Sequence, residues 1–85
     1  MTSLSYLPDR MAYTFSQKTG EVLVVNEIGL KIIESLVNRH GEQTVEAAWQ
    51  AWLKFRVLAG LRWPLTAFDR EFYSALAIAE NGGAK

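Results

Sequence analysis

The chain has 85 residues, of which 49% are hydrophobic, and its nine basic and nine acidic side chains cancel to a formal charge of zero. A chain of this length predicts one small domain, with little surface to spare for a deep catalytic cleft. The balanced charge lacks the basic footprint of a nucleic-acid-binding domain, and the absence of cysteine excludes disulfides and thiolate metal sites.

The first ten residues predict a short lead-in segment, with Pro8 and Asp9 as turn formers. They lack the basic start and apolar core of a signal peptide. No apolar run in the chain approaches the roughly 20 residues of a membrane span. Together with the absence of cysteine, these features favour a cytoplasmic protein that does not enter a membrane.

A β-hairpin is the prediction for residues 11–25. In "MAYTF", Met11, Tyr13 and Phe15 alternate with smaller residues, as in a half-buried strand. The following "SQKTG" has turn chemistry, with Gly20 free to adopt a positive φ. The apolar "EVLVV" then reads as the return strand.

Three helices follow in the prediction. Asn26 is a good N-cap for the first, which Gly41 ends, and its apolar face is Gly29, Ile32, Ile33 and Leu36. The second starts at Thr44 and is capped by Gly60, and its stripe is Val45, Ala48, Trp49, Trp52 and Leu53. The third opens on a Thr66–Asp69 capping box and buries Phe68, Phe72, Ala75, Leu76 and Ala79. A hairpin and three helices make a small α+β domain.

Catalytic and metal-binding constellations are missing from the sequence. The single histidine, His40, stands beside Arg39 at a predicted helix end, where a solvated or carbonyl-capping imidazole is expected. One histidine without cysteine argues against a transition-metal site, and it gives no basis for a Ser-His-Asp triad. The chain is therefore predicted to be a non-enzyme without a cofactor.

Trp63, which precedes Pro64 in a connection, is compatible with either the core or a contact surface. A local basic patch is conceivable nearby, but acidic neighbours in the sequence favour a solvated mixed surface; its members are Lys54, Arg56, Arg62 and Arg70.

The segment "EVLVV" is apolar on both faces of the predicted strand, with Leu23 and Val25 on one side and Val22 and Val24 on the other. Each apolar face of a strand must be shielded from water, either by another part of the chain or by a partner. Either another part of the chain covers the second face, or the unguarded edge accepts an extended peptide as an added strand. The residues alone leave both explanations open.

The motifs "VLVVNEIGLKIIESL", "TVEAAW" and "DREFYSALAIAENG", in this order, resemble the PqqD family of RiPP recognition elements. The shared pattern is a strand ending in hydrophobic-Asn-Glu at Val25–Glu27, a small residue at Gly29, and an Ile/Leu-rich helix. A Thr-Val-Glu start at Thr44 and an Asp-x-x-Phe-x-x-x-Leu helix from Asp69 complete it. The resemblance covers residues 11–81.

The resemblance implies a winged-helix-like fold over residues 11–81, in which an N-terminal β-hairpin, with a third strand left open, packs on three α-helices before a flexible tail at 82–85. It also implies a non-catalytic chaperone that binds the leader region of a ribosomally made precursor peptide by strand addition. The chaperone would present this leader to a modifying enzyme of the radical-SAM, peptidase or cyclase type. The implied peptide-binding residues are Glu21, Val22, Leu23, Val24, Val25, Asp69, Phe72, Tyr73 and Leu76.

Two other functions remain in competition with peptide binding. A winged-helix DNA-binding domain would share the fold, although phosphate contacts require clustered Lys and Arg that a neutral chain does not obviously supply. A structural module that dimerises through the open edge is the second, so that the chain is expected to be a monomer or a weak dimer.

Overall fold

The structure is a computed structural model that describes residues 6–56 and 60–81, and in these residues every regular element is an α-helix. The five helices are α1 (Leu7–Thr19), α2 (Glu27–His40), α3 (Glu42–Phe55), α4 (Pro64–Arg70) and α5 (Phe72–Asn81). The central helix is α3, which packs against α1, α2 and α5, while α2 also packs against α4.

The predicted α+β, winged-helix-like fold is wrong, because no strand or hairpin occurs in the described residues. Residues that were assigned to the first strand belong to α1. The spacing of Leu7, Met11 and Phe15 by four residues suits a helix, and all three are buried. Tyr13, which a strand would have turned inward with Met11 and Phe15, is exposed.

The ends of α1 explain why its sequence resembled a lead-in and a turn. Pro8 lies in the first turn, where its missing N–H costs no hydrogen bond, and Asp9 is an acidic residue in the same turn. Gly20 does adopt a positive φ of 76°, but as the C-cap of the helix, and its N–H donates to the Ser16 carbonyl. The lead-in assigned to residues 1–10 therefore includes the start of α1, and residues 1–5 of it lie outside the described part.

Helix α2 begins and ends where the sequence predicted. The Asn26 side chain accepts a hydrogen bond from the Gly29 N–H at 2.9 Å, and Gly41 follows the last turn. Gly29, Ile33 and Leu36 are buried.

Because Asn26 caps α2, we expect Asn26→Ala to lower the free energy of unfolding by about 1 kcal/mol. Asn26→Asp preserves an acceptor oxygen and should keep most of that stability. Urea denaturation of both variants measures the difference. Equal unfolding midpoints for wild type and Asn26→Ala would show that the cap contributes nothing.

Helix α3 carries the predicted apolar stripe, and all five of its members are buried: Val45, Ala48, Trp49, Trp52 and Leu53. Its predicted ends are wrong. The helix starts at Glu42, directly after Gly41, and ends at Phe55, so Gly60 does not cap it. Residues 57–59 of the following connection lie outside the described residues.

Polar contacts join α1 to α3. The Trp49 indole N–H donates to the Met11 carbonyl at 2.9 Å in the interior. At the surface, Arg10 pairs with Glu42 and Glu46 of α3. The links connect the N-terminal helix to the centre of the core.

The third predicted helix is divided into α4 and α5 at Glu71, whose backbone at φ −104° and ψ 15° departs from helical geometry. The Thr66–Asp69 capping box is wrong, because α4 already begins at Pro64 and no side chain caps it. Pro64 therefore starts a helix, for which its fixed φ is suited. The predicted apolar face is largely correct, since Phe68, Phe72 and Ala75 are buried and Leu76 packs partly buried against the core. The tail predicted at 82–85 lies outside the described residues.

Glu71 joins this break to the end of α3. Its Oε1 accepts hydrogen bonds from the Trp52 indole N–H at 2.8 Å and from Arg56 Nε at 3.0 Å. The Trp52 hydrogen bond and then the Arg56 pair hold the pKa of Glu71 below its usual value. A depressed carboxyl pKa adds stability above the pKa of the unfolded chain, and this stability is lost as the pH falls through the folded pKa.

We therefore expect acidification below about pH 4.3, the ordinary pKa of a Glu side chain, to remove the contribution of Glu71 to stability. Glu71→Gln retains an acceptor for Trp52 but cannot titrate, so its stability should fall less steeply with pH than that of the wild type. Urea midpoints measured from neutral pH to pH 3 test this. Parallel pH profiles of the two proteins would refute the role of Glu71.

Candidate functional site

An open groove of about 490 Å³ lies between the segment that joins α1 to α2 and the start of α4. Most of its lining is apolar, with one acidic and one basic side chain. The lining residues are Phe15, Glu21, Val22, Leu23, Val24, Asn26, Ile28, Gly29, Leu61, Arg62, Trp63, Pro64, Leu65 and Thr66.

One wall of the groove is formed by residues 21–24 of the segment that joins α1 to α2. We call residues 21–25 the extended segment, because they contain no helix and their side chains alternate between the core and the surface. Its side chains alternate as the sequence predicted: Leu23 is buried and Val25 packs against the core, whereas Val22 and Val24 are 83% and 76% exposed. The alternation occurs without a strand, because the residues expected to pair with this segment form α1. The sequence left open whether another part of the chain covers Val22 and Val24. None of the described residues does so, because both valines are exposed.

The main chain of the extended segment is also open. Within the described part of the chain, Val22, Leu23, Val24 and Val25 make no main-chain hydrogen bond, and the Glu21 N–H donates only to the Thr19 hydroxyl. Exposed N–H and C=O groups on an extended backbone are a template for pairing with another extended chain. This wall thus offers hydrogen bonds as well as apolar contact.

Residues 61–66 form the second wall of the groove, and Trp63 is its largest side chain. Trp63 occupies the N-cap position of α4, where its carbonyl accepts from the Ala67 N–H, and its side chain is 62% exposed. The prediction left Trp63 open between core and contact surface, and the structure assigns it to the surface. The guanidinium carbon of Arg62 lies 6.0 Å from the centre of the Trp63 ring, at the outer limit of a cation–π contact.

The base of the groove is where α2 meets α4. A Cβ atom on Gly29 would lie only 2.7 Å from Cδ1 of Leu65, so the absence of a side chain allows the close approach. Asn26 caps α2 at the same place, and Phe15 extends the base toward α1. Both walls are therefore attached to packed helices, and such preorganisation lowers the entropy lost on binding a flexible ligand.

The structure separates the residues that the sequence grouped as a peptide-binding site. Glu21, Val22, Leu23 and Val24 line the groove, while Val25 packs against the core beneath it. The four residues on α4 and α5 do not line it: Phe72 is buried, Leu76 is partly buried, and Asp69 and Tyr73 are exposed. Of the two apolar residues among these four, Phe72 belongs to the core and Leu76 packs against it.

Sequence reasoning did not assign Ile28 or the wall at Leu61–Thr66 to the site. The signal was present in "RWP", because a large aromatic residue directly before a proline at a helix start is held outside the helix. Ile28, 66% exposed in the first turn of α2, extends the apolar surface. The sequence suggested Arg62 only as a member of a local basic patch. Another member of that patch, Arg56, forms an ion pair with Glu71.

His40 lies at the other end of α2 from the groove. Its ring packs 4.7 Å from the Phe72 ring and 5.8 Å from the Tyr73 ring, measured between centres. Nε2 is buried and has no hydrogen-bond partner in the described residues, although the residue as a whole is half-buried. Among those residues, no group of three or more His, Asp or Glu side chains could hold a metal ion.

No family model, curated protein or solved structure matches the chain. In the described residues, no helix has both the length and the apolar character needed to cross a membrane. The groove offers a ligand apolar side chains, main-chain donors and acceptors, and one charged side chain of each sign.

Proposed function

We propose that the chain is a non-catalytic peptide-binding protein that captures an extended peptide in the groove. The observation that carries the proposal is the extended segment, whose valines are exposed and whose main chain is unpaired in the described residues. A peptide laid beside it would form a two-stranded ribbon and place alternate side chains against Val22, Val24 and Trp63.

The class of peptide comes from the sequence resemblance. A RiPP recognition element binds the leader of a precursor peptide and presents it to a modifying enzyme, of the radical-SAM, peptidase or cyclase type. We propose this role in the cytoplasm, with the groove replacing the strand edge of a winged-helix domain as the binding surface. The winged-helix architecture itself is not part of the proposal, and a DNA-binding role that depends on it is withdrawn.

The test is a backbone substitution in the extended segment. Val24→Pro removes one N–H and fixes φ, and the preceding Leu23 lies outside the helices, where a following proline is tolerated. We expect it to weaken binding of a labelled peptide with alternating leucines by about tenfold, because a main-chain hydrogen bond and the alignment of the ribbon are lost.

Val24→Ala is the matched control, since it shortens the same side chain but retains the N–H, and it should lose less affinity than Val24→Pro. Fluorescence anisotropy gives both affinities, and circular dichroism checks that both variants keep their helices. Equal affinities for the proline and alanine variants would refute main-chain pairing.

A further inference from the structure

The groove carries two opposite charges that do not neutralise each other. Glu21 and Arg62 both line it, and no ion pair joins them in the described residues. Elsewhere on the surface, the described ion pairs connect Arg10 and Arg56 to glutamates of the same chain. Among the described residues, the one contact of the Arg62 guanidinium is with the Trp63 ring, so its N–H groups remain available to a ligand.

We propose that the groove selects extended peptides with apolar side chains at alternate positions and an acidic residue that pairs with Arg62. This inference rests on the proposed function and specifies the class of peptide that the groove binds. The alternation follows from the spacing of Val22 and Val24, which are two residues apart on one face of an extended chain, a distance of about 7 Å. A paired peptide presents its own side chains with the same repeat.

We infer the acidic residue of the peptide from the position of Arg62, which lies next to the exposed Trp63 indole. A carboxylate that approaches Arg62 is bound beside the apolar surface of Trp63, where displaced water makes a charge pair stronger than on an open surface. The planar guanidinium can donate two parallel hydrogen bonds to a carboxylate.

Glu21 limits the number of acidic residues that can increase the affinity of the ligand. It lies in the wall that the peptide main chain would follow, so a uniformly acidic peptide would be attracted by Arg62 and repelled by Glu21. The favoured ligand is an apolar run with an isolated acidic residue rather than a polyanion.

The experiment uses three synthetic peptides of alternating leucine and serine that differ only in one flanking residue, which is Glu, Gln or Lys. Anisotropy titrations at low salt should show the Glu peptide binding about fivefold more tightly than the Lys peptide. In Arg62→Glu the order should reverse, whereas the Gln peptide should bind wild type and variant almost equally.

Arg39→Glu is the matched control, because it makes the same change of charge at an exposed site at the far end of α2, away from the groove. It should leave the preference for the Glu peptide unchanged. A preference reduced equally by both variants would reveal a general field of the protein and overturn the role of Arg62.

The two proposals fail in different ways. If all three peptides bind wild type with the same affinity and Val24→Pro weakens that binding by about tenfold, the peptide-binding function stands and charge selection is refuted. If none of the peptides binds, or if sedimentation shows that a second copy of the chain fills the groove, both proposals are refuted.

Discussion

Replacing Phe68 by alanine is expected to lower the free energy of unfolding by about 3–5 kcal/mol, the range for truncating a fully buried aromatic side chain. Phe68 is completely buried at the point where α4 meets α3. Its ring centre lies 4.9 Å from that of Trp49, 5.4 Å from that of Trp52 and 5.6 Å from that of Phe72. A small domain has a total stability of the same order, so the variant should be close to unfolding at room temperature.

Phe55→Ala is the control, since this phenylalanine ends α3 and is exposed. Its loss should change the free energy of unfolding by less than about 0.5 kcal/mol. Urea denaturation followed by tryptophan fluorescence and by circular dichroism compares the two variants. A Phe68→Ala protein as stable as Phe55→Ala would mean that α4 does not pack on α3 as described.

Replacing Trp63 by alanine is expected to lower peptide affinity by about 2 kcal/mol, the scale of an aromatic hot spot at the centre of an interface. The fold should survive, because the Trp63 side chain is mostly solvent-exposed. The contact of Trp63 with the start of α4 is made by its main-chain carbonyl, which the alanine variant retains. Isothermal calorimetry with an apolar peptide measures the loss, and the urea midpoint checks the fold.

Tyr73→Ala separates the groove from the site implied by the sequence resemblance. Tyr73 is a similarly exposed aromatic residue, but it packs beside His40 and Phe72 and does not line the groove. If the groove is the binding site, the Tyr73 variant should keep wild-type affinity. A loss of about 1–2 kcal/mol at Tyr73 with none at Trp63 would instead favour a site on α5.

The two central helices were accessible from sequence because their local and tertiary signals agree. In α2 the Asn26 cap, the apolar face and Gly41 all indicate the same boundaries, and the structure follows them. In α3 the stripe around Trp49 and Trp52 repeats over several turns, so that its buried face is unambiguous even though its start is displaced to Glu42.

The N-terminal helix was missed because a short apolar pattern can satisfy two periods. Met11, Tyr13 and Phe15 alternate, while Leu7, Met11 and Phe15 repeat every fourth residue. In the folded chain, residues 11–15 are helical, and the buried indole N–H of Trp49 donates to the Met11 carbonyl of this helix. Nothing local to residues 11–15 encodes that contact.

The groove was predictable in part. The unguarded apolar character of residues 21–25 is a local property, and it indicated one wall. The other wall depends on how α4 packs against α2, through the close approach of Leu65 to Gly29. That contact joins residues far apart in sequence, so the wall was instead assigned to the third predicted helix.

The most direct test of peptide binding in the groove is an NMR titration of the ¹⁵N-labelled chain with the alternating leucine peptide that carries a glutamate. Binding in the groove predicts shifts in the amides of residues 21–24, 61–63, 65 and 66, and a shift of the Trp63 indole N–H. The indole N–H signals of the buried Trp49 and Trp52 should stay in place. Shifts confined to residues 69–77, with the Trp63 indole and residues 21–24 unmoved, would contradict it.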